Sequence, residues 1–210
     1  MNTSKQSIIK TTLALATTLF TFAPAYAKPD EAFDPTAYIK THENEFVRIS
    51  VENKPTFMKT VGDDPATYEA KLSQLSPGPN LKNLDILKAY GTLSMAYSYK
   101  DDFEKANKVR ADLVKKWTET EPDSMDMLHG LQLIYITNCI AAKRFADAEP
   151  VLKEAKEESA KPYCKDPTHG WTVDICSAIV KLHEGKNDEA IELSKKCKQT
   201  EGIFNQDQKQ

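Results

Sequence analysis

The segment Lys143–Leu152 reads Lys-Arg-Phe-Ala-Asp-Ala-Glu-Pro-Val-Leu, and weaker copies of it occur on both sides. The upstream copy is Asp-Asp-Phe-Glu-Lys-Ala, which ends at Ala106, and the downstream copy is Gly-Lys-Asn-Asp-Glu-Ala, which ends at Ala190. Ala148 lies 42 residues from each of these alanines. A small residue that recurs at equal intervals, each time after an apolar stretch and a turn-like pair, predicts a helical repeat array.

Apolar residues around these turns recur at helical spacing, and no segment alternates between apolar and polar residues over the length of a strand. We therefore expect an all-α protein. The predicted helices cover approximately residues 35–52, 65–76, 83–100, 103–117, 124–140, 144–158, 167–184 and 187–199.

Three helix starts are marked by an Asp-Pro pair, at residues 34–35, 64–65 and 166–167. The aspartate can accept hydrogen bonds from free amides of the first turn, where the missing N–H of proline costs nothing. Phe33 is expected to pack on Tyr38 as a hydrophobic staple. Residues 53–63 contain Pro55 and Gly62, and this pattern predicts a long connection.

The first 27 residues have the pattern of a secretory signal peptide. Lys5 and Lys10 precede an apolar run at residues 11–22, and Ala25-Tyr26-Ala27 supplies small residues before a cleavage site. We divide the chain into a signal peptide (1–27), an irregular N-terminal helical pair that is a degenerate repeat or a cap (28–80), three repeats (81–201) and a polar tail (202–210). The expected location is periplasmic or extracellular.

The charge of the exported part argues against two classes of partner. Removing the two lysines of the signal peptide leaves 26 basic against 31 acidic side chains, a net charge of −5. A mildly acidic surface does not favour nucleic acid or anionic lipid. No second apolar run is long enough for membrane insertion after signal cleavage.

The repeats resemble the tetratricopeptide repeat (TPR) family, in particular its 42-residue, kinesin-light-chain-like variety. The segment Arg144–Pro150 carries the resemblance, and Leu93 and Tyr97 fall where the family places its Leu and Tyr. Cys139 and Lys181 replace that Tyr in the later units, and Asn187 replaces an aromatic residue. The resemblance implies antiparallel helix pairs stacked as a short right-handed superhelix, an α-solenoid.

In such a superhelix the first helix of each unit lines the concave surface. A polypeptide partner held on that surface would contact an apolar set of residues. The N-terminal helices or a second copy of the chain are equally able to cover it. The set is Met95, Tyr99, Leu133, Thr137, Ile140, Ile175, Ile179 and Leu182.

The sequence contains no catalytic or metal-binding motif, and it implies no cofactor. Its histidines are scattered, without the spacing of a ligand pair, and we expect them to be structural. We therefore expect a non-enzymatic binding or scaffolding module. The alternatives are a small secreted enzyme with a thiol or histidine site, and a self-assembling structural protein. The histidines are His42, His129, His169 and His183.

Four cysteines in an exported chain suggest disulfides. Counted from the turn at residues 185–186, Cys176 and Cys197 lie at comparable heights on antiparallel helices, which makes them a possible pair. Cys164 is the alternative partner of Cys197. Cys139 is expected to be a packed thiol without a disulfide.

Cleavage after Ala27 is the first testable prediction, because this position follows the small-residue triplet. Intact-mass measurement on the exported protein should give a chain that begins at Lys28. Recovery of a chain that still carries Met1 would contradict export by this route.

Overall fold

A computed structural model of the chain describes residues 33–78, 81–164 and 167–207, without the side chains of residues 167 and 202–207. The predicted signal peptide and the last three residues of the predicted tail lie outside this part. The described residues are all-α, and their only β-type pairing is an isolated bridge between Gly78 and Leu81. The α-helices are α1 (Pro35–Val61), α2 (Pro65–Leu72), α3 (Asn83–Tyr99), α4 (Phe103–Thr120), α5 (Met125–Ala141), α6 (Phe145–Ser159), α7 (Pro167–His183) and α8 (Asn187–Asp207), with a 3-10 turn at Pro122–Ser124 before α5.

Three helical hairpins, α3–α4, α5–α6 and α7–α8, share one turn geometry. Asp101, Lys143 and Gly185 have positive φ angles of 63°, 57° and 75°, and they are 42 residues apart. Such a residue after a helix lets the next backbone N–H bond back to the last turn. The equivalent N–H to carbonyl bonds are Asp102 to Tyr97 (3.0 Å), Arg144 to Cys139 (2.7 Å) and Lys186 to Lys181 (2.9 Å).

The recurrent alanines lie where the two helices of each hairpin pack together. Ala106, Ala148 and Ala190 are fully buried on the first turn after each hairpin bend. The helices also approach closely between hairpins, since a Cβ atom at Gly91 of α3 would lie 2.9 Å from a methyl group of Leu131 in α5. The full burial of the three alanines favours small residues there, and a larger residue at Gly91 would require the Leu131 side chain to shift.

Both described Asp-Pro starts have the expected caps. The Asp34 carboxylate accepts hydrogen bonds from the backbone N–H groups of Thr36 and Ala37, and Asp64 does the same at α2. The expected staple is also present, with the rings of Phe33 and Tyr38 5.5 Å apart. The Asp166 cap lies outside the described residues.

The connection predicted at residues 53–63 is wrong, because α1 continues through Pro55 to Val61. Pro55 is exposed on the outer side of the helix, where one missing hydrogen bond is tolerated. Phe57 and Val61, beyond the proline, are buried on the same stripe as Phe46. Burial of this stripe keeps the segment helical past Pro55.

Two other helix ends differ from the sequence-based expectation. Helix α2 ends at Leu72, four residues earlier than expected, and Ser73 is its C-cap. Helix α8 continues to Asp207 rather than ending near residue 199. Its extra turns include Glu201, which is buried against α1.

Helix α1 lies across the three hairpins. It packs against their first helices α3, α5 and α7, and also against α8, whereas α2 packs mainly on α3 and pairs with α4 through Glu69 and Lys105 at 3.9 Å. Within the described part of the chain, no helix combines the length and the apolar character that a membrane span requires.

We predict that Ala148→Leu lowers the melting temperature by about 3–10 °C, because overpacking a buried contact costs about 1–3 kcal/mol. Ala146→Leu, an exposed position on the same helix, is the matched control and should change it by less than about 1 °C. Circular dichroism at 222 nm measures both. Equal melting temperatures for the two variants would contradict the close packing at Ala148.

Candidate functional site

Three of the eight residues expected on an open concave surface, Tyr99, Leu133 and Thr137, lie against α1. The ring of Tyr99 is 5.8 Å from that of Phe57, and Leu133 and Thr137 share a cavity of only about 20 Å³ with Ile49. Seven of the eight are buried and one, Leu182, is half-buried. A partner that used this face would have to displace α1, so binding there stays a prediction. The eight are Met95, Tyr99, Leu133, Thr137, Ile140, Ile175, Ile179 and Leu182.

A buried polar network fixes the middle of α1. The Ser50 hydroxyl donates to the side-chain oxygen of Asn138 at 2.8 Å, and the Asn138 amide donates to the Ser98 hydroxyl at 3.1 Å. This network joins α1, α5 and α3. Because its members are buried, breaking one bond would leave the remaining groups without water to replace it.

A second polar contact holds the start of α1 against α8. The Tyr38 hydroxyl donates to the buried Glu201 carboxylate at 2.6 Å, and His42 Nε2 lies 3.4 Å from the same group. Burial acts to raise the pKa of Glu201, but the hydrogen bonds with His42 and Tyr38 and the charge of Lys198 outweigh it and lower the pKa. The carboxylate form is therefore favoured in the folded protein.

An open groove lies between α6, α7 and α8. Its volume is about 680 Å³. Leu152, Val180 and Leu193 give it an apolar floor, and Val180 and Leu152 also belong to the buried core. A volume of this size is in the usual range for a ligand site.

The two walls of this groove carry opposite charges. Lys153 and Lys156 project from α6, and Glu189 and Glu192 project from α8; all four side chains are exposed. Among the described residues, neither of these two lysines has a carboxylate within ion-pair distance. Lys181 on the floor is neutralised by two nearby carboxylates at 2.9 and 3.0 Å. Glu192 is paired with Lys195 of its own helix at 2.8 Å. Among the described residues that line the groove, the charges without an ion-pair partner are therefore those of Lys153, Lys156 and Glu189.

The predicted Cys176–Cys197 disulfide is wrong, and Cys164 does not join Cys197 either. The Cys197 thiol lies 3.9 Å from the carbonyl oxygen of Trp171, five residues before Cys176 on α7. The Cys197 side chain is therefore directed at the backbone of α7 near Trp171 and forms no bond with the Cys176 sulfur. The similar residue counts from the turn did not predict this direction.

Three thiols are buried, and burial raises the pKa of each. The pKa of Cys139 is raised to about 12 and that of Cys197 also to about 12, while that of Cys176 is raised further. They are therefore protonated at neutral pH and unsuited to nucleophilic chemistry. Cys139 is a buried thiol without a disulfide, as expected.

Two of the histidines, His42 and His183, pack against aromatic side chains. His42 packs edge-on against Trp171 at 5.2 Å, and His183 stacks on Phe145 at 4.1 Å with its Nε2 atom 2.8 Å from Glu43. The other two, His129 and His169, lie side by side with ring centroids 4.6 Å apart.

Comparison with protein-family models, with curated proteins and with solved structures found no match to the chain. The geometry of the molecule is therefore the basis for a proposal about its function.

We predict that Glu201→Gln destabilises the protein by about 1–3 kcal/mol at pH 7, because a buried charge-assisted contact is lost. The pKa of Glu201 is lowered on folding from 4.5, so its contribution is present above pH 4.5 and is lost as the pH falls through the folded-state pKa. Urea unfolding at pH 7 and pH 3 measures both variants. The difference in unfolding free energy between wild type and Glu201→Gln should be smaller at pH 3 than at pH 7.

Glu192→Gln, at a carboxylate that is 72% exposed, is the control and should leave stability within about 0.5 kcal/mol of wild type. A Glu201→Gln effect that is the same at both pH values would show that the carboxylate charge does not hold α1.

Proposed function

We propose that the protein is an exported, non-enzymatic binding module built from TPR-like repeats, and that it holds one amphipathic helix of a polypeptide partner in the groove between α6, α7 and α8. The observation that carries this proposal is an apolar floor between a basic wall and an acidic wall. Export rests on the sequence pattern of residues 1–27.

The repeat assignment has support in the three hairpin turns. A residue with a left-handed backbone conformation and the backbone hydrogen bond that follows it recur at intervals of 42 residues. The first helices of neighbouring hairpins also pack on each other, as do the second helix of one and the first helix of the next. Contacts between neighbouring hairpins are what stacked helical repeats require, and they support the proposal.

A helix is the form of polypeptide that suits this groove. Addition of a strand requires an exposed sheet edge, and the described residues contain no sheet. An amphipathic helix places an apolar stripe on the floor, with acidic residues towards Lys153 and Lys156 and basic residues towards Glu189 and Glu192. Opposite walls therefore select both the charge pattern of the helix and its direction.

The enzyme alternative has weaker support. Cys139, the thiol considered for catalysis, is fully buried, and its pKa is raised to about 12 mainly by that burial. A thiol nucleophile requires a lowered pKa and access to substrate. Self-assembly is tested separately by sedimentation velocity over a concentration series.

The binding proposal is tested with two synthetic helical peptides of identical composition. Both have a leucine stripe; one has glutamates on one flank and lysines on the other, and the second mixes them on both flanks. We expect the polarised peptide to bind more tightly in isothermal titration calorimetry. Lys153→Glu with Lys156→Glu should weaken its binding about tenfold, since two attractive rim contacts become repulsive.

The same double variant makes both walls acidic, so it should bind best a peptide with lysines on both flanks. The matched control is Lys108→Glu with Lys115→Glu, the same charge change at exposed positions on α4, which should leave binding of the polarised peptide unaltered. Equal affinity for the polarised and mixed peptides, or equal effects of the two double variants, would overturn the assignment of the groove.

A further inference from the structure

Two histidines and a cysteine from three separate parts of the chain meet at one place. His129 lies on α5, Cys164 in the connection between α6 and α7, and His169 on the first turn of α7. Their three potential ligand atoms all lie within 4.8 Å of one another. The Cys164 Sγ atom is 3.4 Å from Nδ1 of His169.

These distances are close to those of a metal site. With Zn–S about 2.3 Å and Zn–N about 2.0–2.1 Å, neighbouring ligand atoms of a tetrahedral zinc ion lie about 3.3–3.6 Å apart. The sulfur of Cys164 and the nitrogen of His169 already have this separation. The widest distance in the cluster is at most 4.8 Å. It would have to shorten by no more than about 1.5 Å, which is within reach of rotation of an imidazole ring.

The surroundings hold the ligands in place. His129 is 1% exposed and His169 is 6% exposed, and each lies on a helix that packs in the interior. The backbone N–H of Cys164 donates to the carbonyl oxygen of Lys161 at 3.0 Å, so a local turn orients the third ligand. Ligands fixed on packed elements lose little freedom when an ion binds.

We propose that His129, Cys164 and His169 form a binding site for one Zn²⁺ ion, with the Cys164 thiolate and two imidazoles as protein ligands. Thiolate and imidazole together select thiophilic and borderline ions, a chemistry that Zn²⁺ shares with Cu⁺. Three protein ligands leave a fourth position for water or another ligand. The ion would tie the connection between α6 and α7 to α5, and so join the second hairpin to the third.

The test uses the purified protein without an affinity tag, reduced and stripped of metal. Titration with Zn²⁺ against a fluorescent chelator should give one equivalent of bound metal. Co²⁺ in place of Zn²⁺ should give the thiolate-to-cobalt absorption band in the near ultraviolet and the visible bands of tetrahedral cobalt. A Zn²⁺ concentration of 100 times Kd should raise the melting temperature by about 5–10 °C.

Cys164→Ser should abolish the cobalt–thiolate band and weaken Zn²⁺ binding at least tenfold, and His169→Gln should weaken it similarly. Cys164 is half-buried, so its serine variant is expected to fold, and circular dichroism verifies this. His183→Gln removes a histidine outside the cluster and is the matched control, with unaltered affinity.

Three results would overturn the proposal: no bound Zn²⁺ at equivalence, Zn²⁺ affinity unchanged by Cys164→Ser in the folded protein, or loss of binding in His183→Gln. Binding of Cu⁺ but not Zn²⁺, dependent on Cys164, would overturn the choice of ion.

Discussion

The contact between α1 and the first helices of the three hairpins is the constraint on which the remaining structure depends. Three large apolar side chains of α1, Ile39, Phe46 and Phe57, are at most 3% exposed. At about 1.5–3 kcal/mol each, their burial contributes roughly 5–9 kcal/mol. The conformational entropy lost when α1 is ordered offsets part of this gain, so the net contribution of the contact is smaller. Asn138, bonded to both α1 and α3, adds a directional contact at the centre.

Occupation of this inner face by α1 has a consequence for function. In a stack of helical hairpins the face lined by the first helices is the natural place for a ligand, but here the chain itself fills it. A groove with an apolar floor between α6, α7 and α8 stays open, and charged side chains of opposite sign lie on its two walls. The four thiols also fall into two groups. Three are buried and have raised pKa values, whereas Cys164 is half-buried and lies beside two imidazoles.

Much of the local structure was predictable because it depends on neighbouring residues. An aspartate caps the amides two and three residues ahead of it, and a left-handed residue after a helix closes a bond over five residues. The Asp-Pro pairs located the start of α1, and the recurrent turn-like pairs and alanines located the three hairpins. The helix break predicted at Pro55 was wrong. The low helix propensity of proline was outweighed by the burial of Phe57 and Val61, which follow it in the same helix.

The sequence by itself determined an all-α chain with three hairpins at a 42-residue period, because helical spacing, caps and turns act over a few residues. Only the tertiary structure decided that α1 covers the inner face, that the Cys197 thiol faces the carbonyl oxygen of Trp171, and that Cys164 lies beside His129 and His169. Each of these depends on the relative position and rotation of packed helices. Many side chains together fix that arrangement, and no single spacing in the sequence predicts it.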